Sequence, residues 1–424
     1  MARNMQITFL GTSSGGGPSP SRNCSSLVAN VIGDGTLWMV DCAEGTTRQF
    51  LTQPRGNGEE TLRAHKVSKL FVTHMHGENN PDHVMGIVPF LRHILFPPAI
   101  VNGSEAHPPV KPPPRIEIYG PAGLRTFVRS ILSMTLTKTA DTYAVHELLT
   151  PQCPRTPCDA KSLHSSECPG LDILCDEQGF WQALVVVRGR RGNTIVDAGP
   201  IFHRDPCIGY IIREPHFPNR KIAILGDTYD ASGIEPLLKS PPPSLLIHEA
   251  TDTCIPTSVD PKARRKDEEV RQKVLARGHS TPVMAGEFAK RVGAERLVLN
   301  HIGIRFTAPR QSKNRHDVRF AMIEEISRQA SEAWGMGHAQ VAFDFMRVDI
   351  PAPSIPAVEV VVAVAEDNLN EQVNASDAAG RSVGQRGSGE GRQQRGRGRR
   401  GWRNYSGRNE QSRNDGKGRM GNQT

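Results

Sequence analysis

LWMVD, KLFVTHMH, KIAILGD, SLLIHE and RLVLNH are each a short, β-prone apolar run that ends in aspartate, histidine or glutamate. This recurrence constrains the chain more than any other feature. Short apolar runs bounded by polar residues read as strands, so the ionisable groups fall at strand ends, where loops from several strands converge. MQITFLGT at the start is a further strand entering a Gly/Ser loop, and VAFDFMRVDI reads as the last one. Helical patterns lie between them. VMAGEFAKRVGA aligns Ala285, Phe288, Ala289 and Val292 on one face with a stop at Gly293, and AGLRTFVRSIL follows a YGP turn. VMGIVPFLRHIL is similar, with Pro89 expected to kink or limit it. Strands alternating with helices indicate an α/β layered domain.

The chain has 424 residues, and its 37% hydrophobic content leaves part of it outside any core. Nothing in it is apolar for long enough to span a membrane. The apolar stretch near the start is too short for a secretory signal, so an interior compartment, cytoplasm and/or nucleus, is expected. The net charge is +8, of which residues 371–424 carry +7 through 11 Arg and one Lys against five acidic residues. That segment, GQRGSGEGRQQRGRGRRGWRNYSGRN at its centre, is low-complexity and cannot bury a core. The expected division is a catalytic domain over 1–350, a linker over 351–370 opening with PAPSIP, and a disordered Arg/Gly-rich tail over 371–424. VEVVVAVA in the linker is β-prone but has no clear partner. The Pro-rich stretches at 97–114 and 151–180 read as surface loops. Cys153, Cys158, Cys168 and Cys175 cluster in the second, without the CxxC pairs of a structural zinc site.

THMHGENNPDHVMG, from Thr73, holds three histidines. His74 and His76 alternate about one residue, and in an extended strand end both reach the same side. Asp82 and His83 are adjacent and suit the first turn of the next helix, each able to turn to one of two neighbouring ions. His203, Asp227 and His301 are further candidates. Singly, each reads as a structural residue; together they are the ligand types of a dinuclear hydrolase.

FLGTSS, VDCAEGTTRQF, THMHG with DHVMG, IEIYGPAGL, HRDPCIGYIIRE, LGDT, LIHEAT, GHST and LNHIGIRF occur in the order seen in ribonuclease Z, which the chain resembles over residues 5 to 350. The resemblance implies an αββα metallo-β-lactamase sandwich and a zinc-dependent endoribonuclease that removes the 3′ trailer from precursor tRNA. Two zinc ions per chain are implied, one held by His74, His76 and His203, the other by Asp82, His83 and His301, with Asp227 bridging. Asp82 would orient the attacking water or take its proton, and His279 would protonate or stabilise the leaving 3′-oxygen. Ser280, Thr281 and the loop at Ser13 to Gly17 offer phosphate contacts, or else a helix N-cap and a plain turn. Glu44 and Glu249 read as orienters of the network. A homodimer is also implied.

The chain departs from the family pattern in two places. HxHGDH is interrupted by ENNP, residues 78 to 81. Either the four residues loop out and Asp82-His83 keep their roles, or Glu78 takes the aspartate position and Asn79 falls where a histidine belongs. The first is favoured, because an asparagine amide replaces an imidazole on zinc poorly. The flexible basic arm expected after the GYIIRE segment is missing, and the Arg/Gly tail, with Trp402 and Tyr405, could supply RNA contacts instead. Two alternatives stay open: a metallo-hydrolase of small phosphodiesters or other esters, and a catalytically weakened RNA-binding homologue.

Overall fold

The computed structural model describes residues 4–15, 17–54, 61–75, 83–96, 113–189, 192–216, 219–308 and 317–352. All fall within one compact unit. The linker strand and the tail lie outside the described residues, as do His76, Glu78 and Asp82.

The first half of the chain forms strands β1 (Met5–Gly11), β2 (Ser13–Ser14), β3 (Ser26–Asn30), β4 (Leu37–Val40), β5 (Val67–Phe71), β6 (Ile116–Pro121), β7 (Tyr143–Leu149), β8 (Glu167–Cys168) and β9 (Asp172–Leu174). Helices α1 (Thr46–Thr52), α2 (Ile87–Leu95) and α3 (Leu124–Met134) connect them. The second half supplies β10 (Trp181–Gly189), β11 (Gly192–Ile201), β12 (Cys207–Arg213), β13 (Lys221–Ile224), β14 (Leu245–Glu249), β15 (Leu297–Asn300), β16 (Ile302–Gly303), β17 (Gln340–Val341) and β18 (Arg347–Ile350). Its helices are α4 (Asp267–Ala276), α5 (Pro282–Arg291) and α6 (Val318–Trp334). One sheet runs β18-β1-β3-β4-β5-β6-β7-β8, with β9 also on β7; the other runs β10-β11-β12-β13-β14-β15-β17.

Three apolar clusters separate four layers. Phe9, Trp38, Phe71, Tyr210, Ile224 and Val298 pack between the sheets. Leu10, Met39, Leu70, Phe90 and Leu124 pack the first sheet against α2 and α3. Leu246, Phe288, Leu299, Ile326 and Trp334 pack the second against α5 and α6. The apolar runs are continuous because both faces are covered. Ile222 and Ile224 face the other sheet, whereas Ala223 faces the helices. Tyr210 crosses the middle layer, tilted on Phe71 with ring centroids 5.2 Å apart, and its hydroxyl donates to Val72 O at 2.7 Å.

Pro89 lies at the start of α2, which begins at Ile87 rather than Val84. It is the third residue of that helix, within the first turn, where backbone N–H groups have no intrahelical acceptor to lose. The Pro-rich stretch at 151–180 is a correction: it is not only surface loop, since β8 and β9 add to the first sheet from within it. Buried Arg125 fastens it, donating to Val145 O, Thr156 O, Leu171 O and the Asp172 carboxylate. The β10–β11 hairpin carries no clear signal in the sequence. In β10 buried and exposed residues do not alternate regularly, and the register shifts between Trp181 and Val185. Between β12 and β13 the connection is short, closed by Glu214 N donating to Arg220 O at 3.0 Å and by a buried Arg220–Glu214 ion pair.

Candidate metal centre

The ends of β5, β11, β13, β14 and β15 deliver their polar residues to one place. Asp227 is buried at its middle. His301 Nε2 lies 3.3 Å and His74 Nε2 3.7 Å from Asp227 Oδ2; His83 Nε2 lies 3.5 Å from Oδ1. The His83 and His301 Nε2 atoms are 3.4 Å apart. His203 stacks edge-on to His74, ring centroids 5.3 Å apart, and lies 5.1 Å from His279. The ligand atoms of His74, His203 and Asp227 all fall within 4.8 Å of one another, as do those of Asp227, Glu249, His279 and His301. Asp227 belongs to both groups.

Each imidazole is oriented from behind through Nδ1, and the supports repeat. Asp41 Oδ2 holds His83 Nδ1 directly at 2.7 Å. It also accepts the Thr73 hydroxyl at 2.9 Å, whose oxygen lies 2.9 Å from His74 Nδ1. Across the site Glu249 does the same. Its Oε1 is 3.1 Å from His279 Nδ1, and its Oε2 accepts the Thr251 hydroxyl at 2.6 Å, 3.0 Å from His301 Nδ1. Asp41 also accepts Thr73 N, and Glu249 accepts Thr228 N. His203 Nδ1 donates to Gly278 O at 2.6 Å. A carboxylate or carbonyl on Nδ1 draws the proton there, directly or through a hydroxyl, and leaves the Nε2 lone pair facing inward. Burial lowers the His203 pKa, with Asp227 opposing, which favours the neutral ring. The Glu249 carboxyl is buried, which works against its charge, but His279 and His301 outweigh this and hold it below the usual range.

Backbone geometry serves the same end. Asp41 and His301 adopt φ of 56° and 53°, a left-handed conformation unfavourable for non-glycine residues and typical of functional sites. Gly278 has φ 79°, and a Cβ there would lie 2.5 Å from His203 Nδ1.

The donor set fits a metal. Inward lone pairs of His74, His83 and His301 face the oxygens of Asp227, acceptor against acceptor. Such an array is repulsive unless positive charge lies within it, and imidazole nitrogens with carboxylate oxygens are zinc-type ligands.

Of the residues singled out from sequence, His74, His83, His203, Asp227, His279 and His301 come together. His76 and Asp82 lie outside the described residues. His83 is in the turn that leads into α2, ahead of the helix rather than in its first turn. The Ser280 hydroxyl donates to Thr228 O at 2.5 Å, and Thr281 is the N-cap of α5, accepting from Met284 N. Ser13 and Ser14 pair with β16, beside His301. Glu249 orients the network as expected. Glu44 does not: its side chain is exposed, and its contact is a backbone carbonyl accepting from Asn23. Asp41, three residues earlier, has that role. The signal was present, since Asp41 ends an apolar run as Asp227 does.

Sheets packed face to face, helices outside and a histidine–carboxylate cluster at the strand ends define the metallo-β-lactamase fold. No family model matches the sequence. The chain is 32% identical over 345 residues to ribonuclease Z of Streptococcus sanguinis, covering 76% of this chain and 96% of that protein. It is 29% identical over 406 residues to zinc phosphodiesterase ELAC protein 1 of Bos taurus, covering 82% of this chain and 99% of the relative. The crystal structure of human tRNase Z, short form, is similar with a TM-score of 0.54 at 30% identity, covering 82% of this chain and 99% of that one. The chain belongs to the ribonuclease Z family.

Proposed function

We propose that this protein is a zinc-dependent endoribonuclease that removes the 3′ trailer from precursor tRNA. The observation that carries the reading is the convergence of His74, His83, His203, His279 and His301 on Asp227 in a chain of this family. His74, His76 and His203 would hold one zinc ion and Asp82, His83 and His301 a second, with Asp227 serving both. His83 supports the looped-out placement of residues 78 to 81, because it already lies among the ligands with its Nδ1 on Asp41. Bound zinc supplies positive charge that polarises the phosphodiester and eases deprotonation of water.

The chain's own residues do the rest. Asp82 orients the water or takes its proton. His279, held through Nδ1 by Glu249, presents its other nitrogen to the leaving 3′-oxygen and, in its doubly protonated form, protonates or stabilises it. Ser280 and Thr281 lie next to His279 and are assigned to phosphate contact through this segment. The precursor would be held partly by the Arg/Gly tail over 371–424, joined through 351–370 to the catalytic domain over 1–350. Exposed Leu51, Phe96, Met134 and Leu136, at or just beyond the ends of α1, α2 and α3, offer apolar surface that a homodimer would bury. No helix among the described residues is long and apolar enough to cross a membrane, and we infer the cytoplasm and/or nucleus as the compartment in which it would meet precursor tRNA.

The test is cleavage of a precursor tRNA with a defined trailer, beside a small chromogenic phosphodiester. Cleavage of both, with the RNA cut at the 3′ end of the tRNA body and lost on chelation, is expected. Turnover of the small diester alone would overturn the tRNA assignment, and turnover of neither would overturn the enzyme.

A further inference from the structure

A cavity of about 280 Å³ opens against the outer side of the loop that follows Asp227. Tyr229 lines it from that loop, His248 from β14, Arg271 from α4, Ser280 from the segment before α5, and Phe288 and Arg291 from α5. It is separate from the metal cluster. His248 and Glu249 are neighbours in a strand, so their side chains point to opposite faces. Glu249 serves the cluster, whereas His248 stands on the helix side, 5.7 Å from Phe288 between ring centroids. Cavity and cluster share a wall, nonetheless. Ser280, next to His279, donates to Thr228 O, next to Asp227.

The lining has the chemistry of a nucleotide site. Tyr229 is 40% exposed, so a face of its ring is available for stacking. Arg271 is exposed and makes no ion pair among the described residues. Arg291 is already paired with Glu235 at 3.2 Å. Of the nearby carboxylates, Asp230 is turned onto the amide and hydroxyl of Ser232, both at 2.9 Å, and Glu287 is exposed. At the floor, His248 is buried and its Nδ1 donates to Glu249 O at 2.8 Å. A carbonyl only accepts, so the proton is on Nδ1 and Nε2 is left as an acceptor. An aromatic face, an uncommitted guanidinium and a fixed acceptor around a space of this size suit one nucleotide rather than a length of strand.

We propose that this cavity is a nucleotide subsite: it takes one nucleotide of the RNA near the scissile phosphate, the base stacking on Tyr229 and the phosphate meeting Arg271. The inference rests on the assignment of an RNA substrate and adds where part of that RNA is held.

The test uses the full chain, with Tyr229→Ala, Tyr229→Phe and Arg271→Ala. Two quantities are read: calorimetric binding of 5′-CMP, and KM and kcat on precursor tRNA beside a chromogenic diester. Loss of one aromatic–base stack predicts that Tyr229→Ala raises KM for RNA and weakens 5′-CMP by about fivefold or more. Tyr229→Phe should restore both, and the RNA effect should exceed any effect on the small diester. Unchanged KM in Tyr229→Ala would overturn the subsite, as would an equal loss on RNA and diester, which would mean that Tyr229 merely shapes the loop. The two readings fail differently. Wild-type protein that binds 5′-CMP through Tyr229 yet leaves precursor tRNA uncut refutes the trailer assignment and keeps the pocket. Protein that trims normally with Tyr229→Ala keeps the assignment and refutes the pocket.

Discussion

Asp41 fixes two imidazoles, His83 directly and His74 through Thr73. Replacing it with alanine frees both rings to rotate. Loss of such a supporting carboxylate costs roughly 10- to 100-fold in metal affinity. Asp41→Ala is therefore expected to lose zinc to a chelator at a correspondingly lower concentration, with an unchanged far-UV circular dichroism spectrum; wild-type zinc retention would refute the role. His74, His203, Asp227 and His301 were legible as candidates because each lies at or near the end of an apolar run. Asp41 is not distinguished from Glu44 in the sequence, which shows two acidic residues three apart but not which is buried. Nor does it show the left-handed backbone that turns Asp41 toward Thr73. Tyr229 and Arg271 carry no motif at all; only the packing of α4, α5 and the Asp227 loop brings them together.

At the scale of elements, the turn before α2 holds His83 in place. If residues 78 to 81 loop out ahead of it, their deletion leaves the ligands intact. The shortened protein is expected to keep its zinc and to retain or raise its activity; loss of metal on that deletion would refute the looped-out placement. A second prediction concerns β6. There Glu117 is held at about 2 instead of 4.5 by the His146 imidazole, 3.5 Å away, and by Lys69, against the opposing effect of burial. A carboxyl depressed by folding contributes stability that is complete above its unfolded value and is lost as pH falls through its folded one. Glu117→Gln should thus destabilise the protein at neutral pH, with the difference from wild type shrinking below pH 4.5 and closing near pH 2. Urea midpoints across that range measure it, and a pH-independent difference would contradict it. The central strands were legible because burial on both faces makes their apolar runs continuous. β8, β9 and β10 were not, because two are very short and the third is irregular at an edge, so none carries a periodic signal.

For the whole molecule, the described residues include His74, His83, His203, Asp227, His279 and His301 of the cutting centre, and most of the net positive charge lies beyond them, in 371–424. Phosphate contacts by a basic segment make binding salt-dependent, since each releases counterions. Removing residues 371–424 is expected to raise KM for precursor tRNA and to flatten its dependence on salt; unchanged KM and slope would refute a substrate-holding tail. All of this depends on Asp227 and the imidazoles around it gripping metal. The most direct measurement is elemental analysis of the purified full-length chain beside Asp227→Ala. The account predicts about two zinc ions per wild-type chain and fewer than one in the variant. Wild-type protein without zinc above the buffer blank, or a variant that holds as much as wild type, would contradict it.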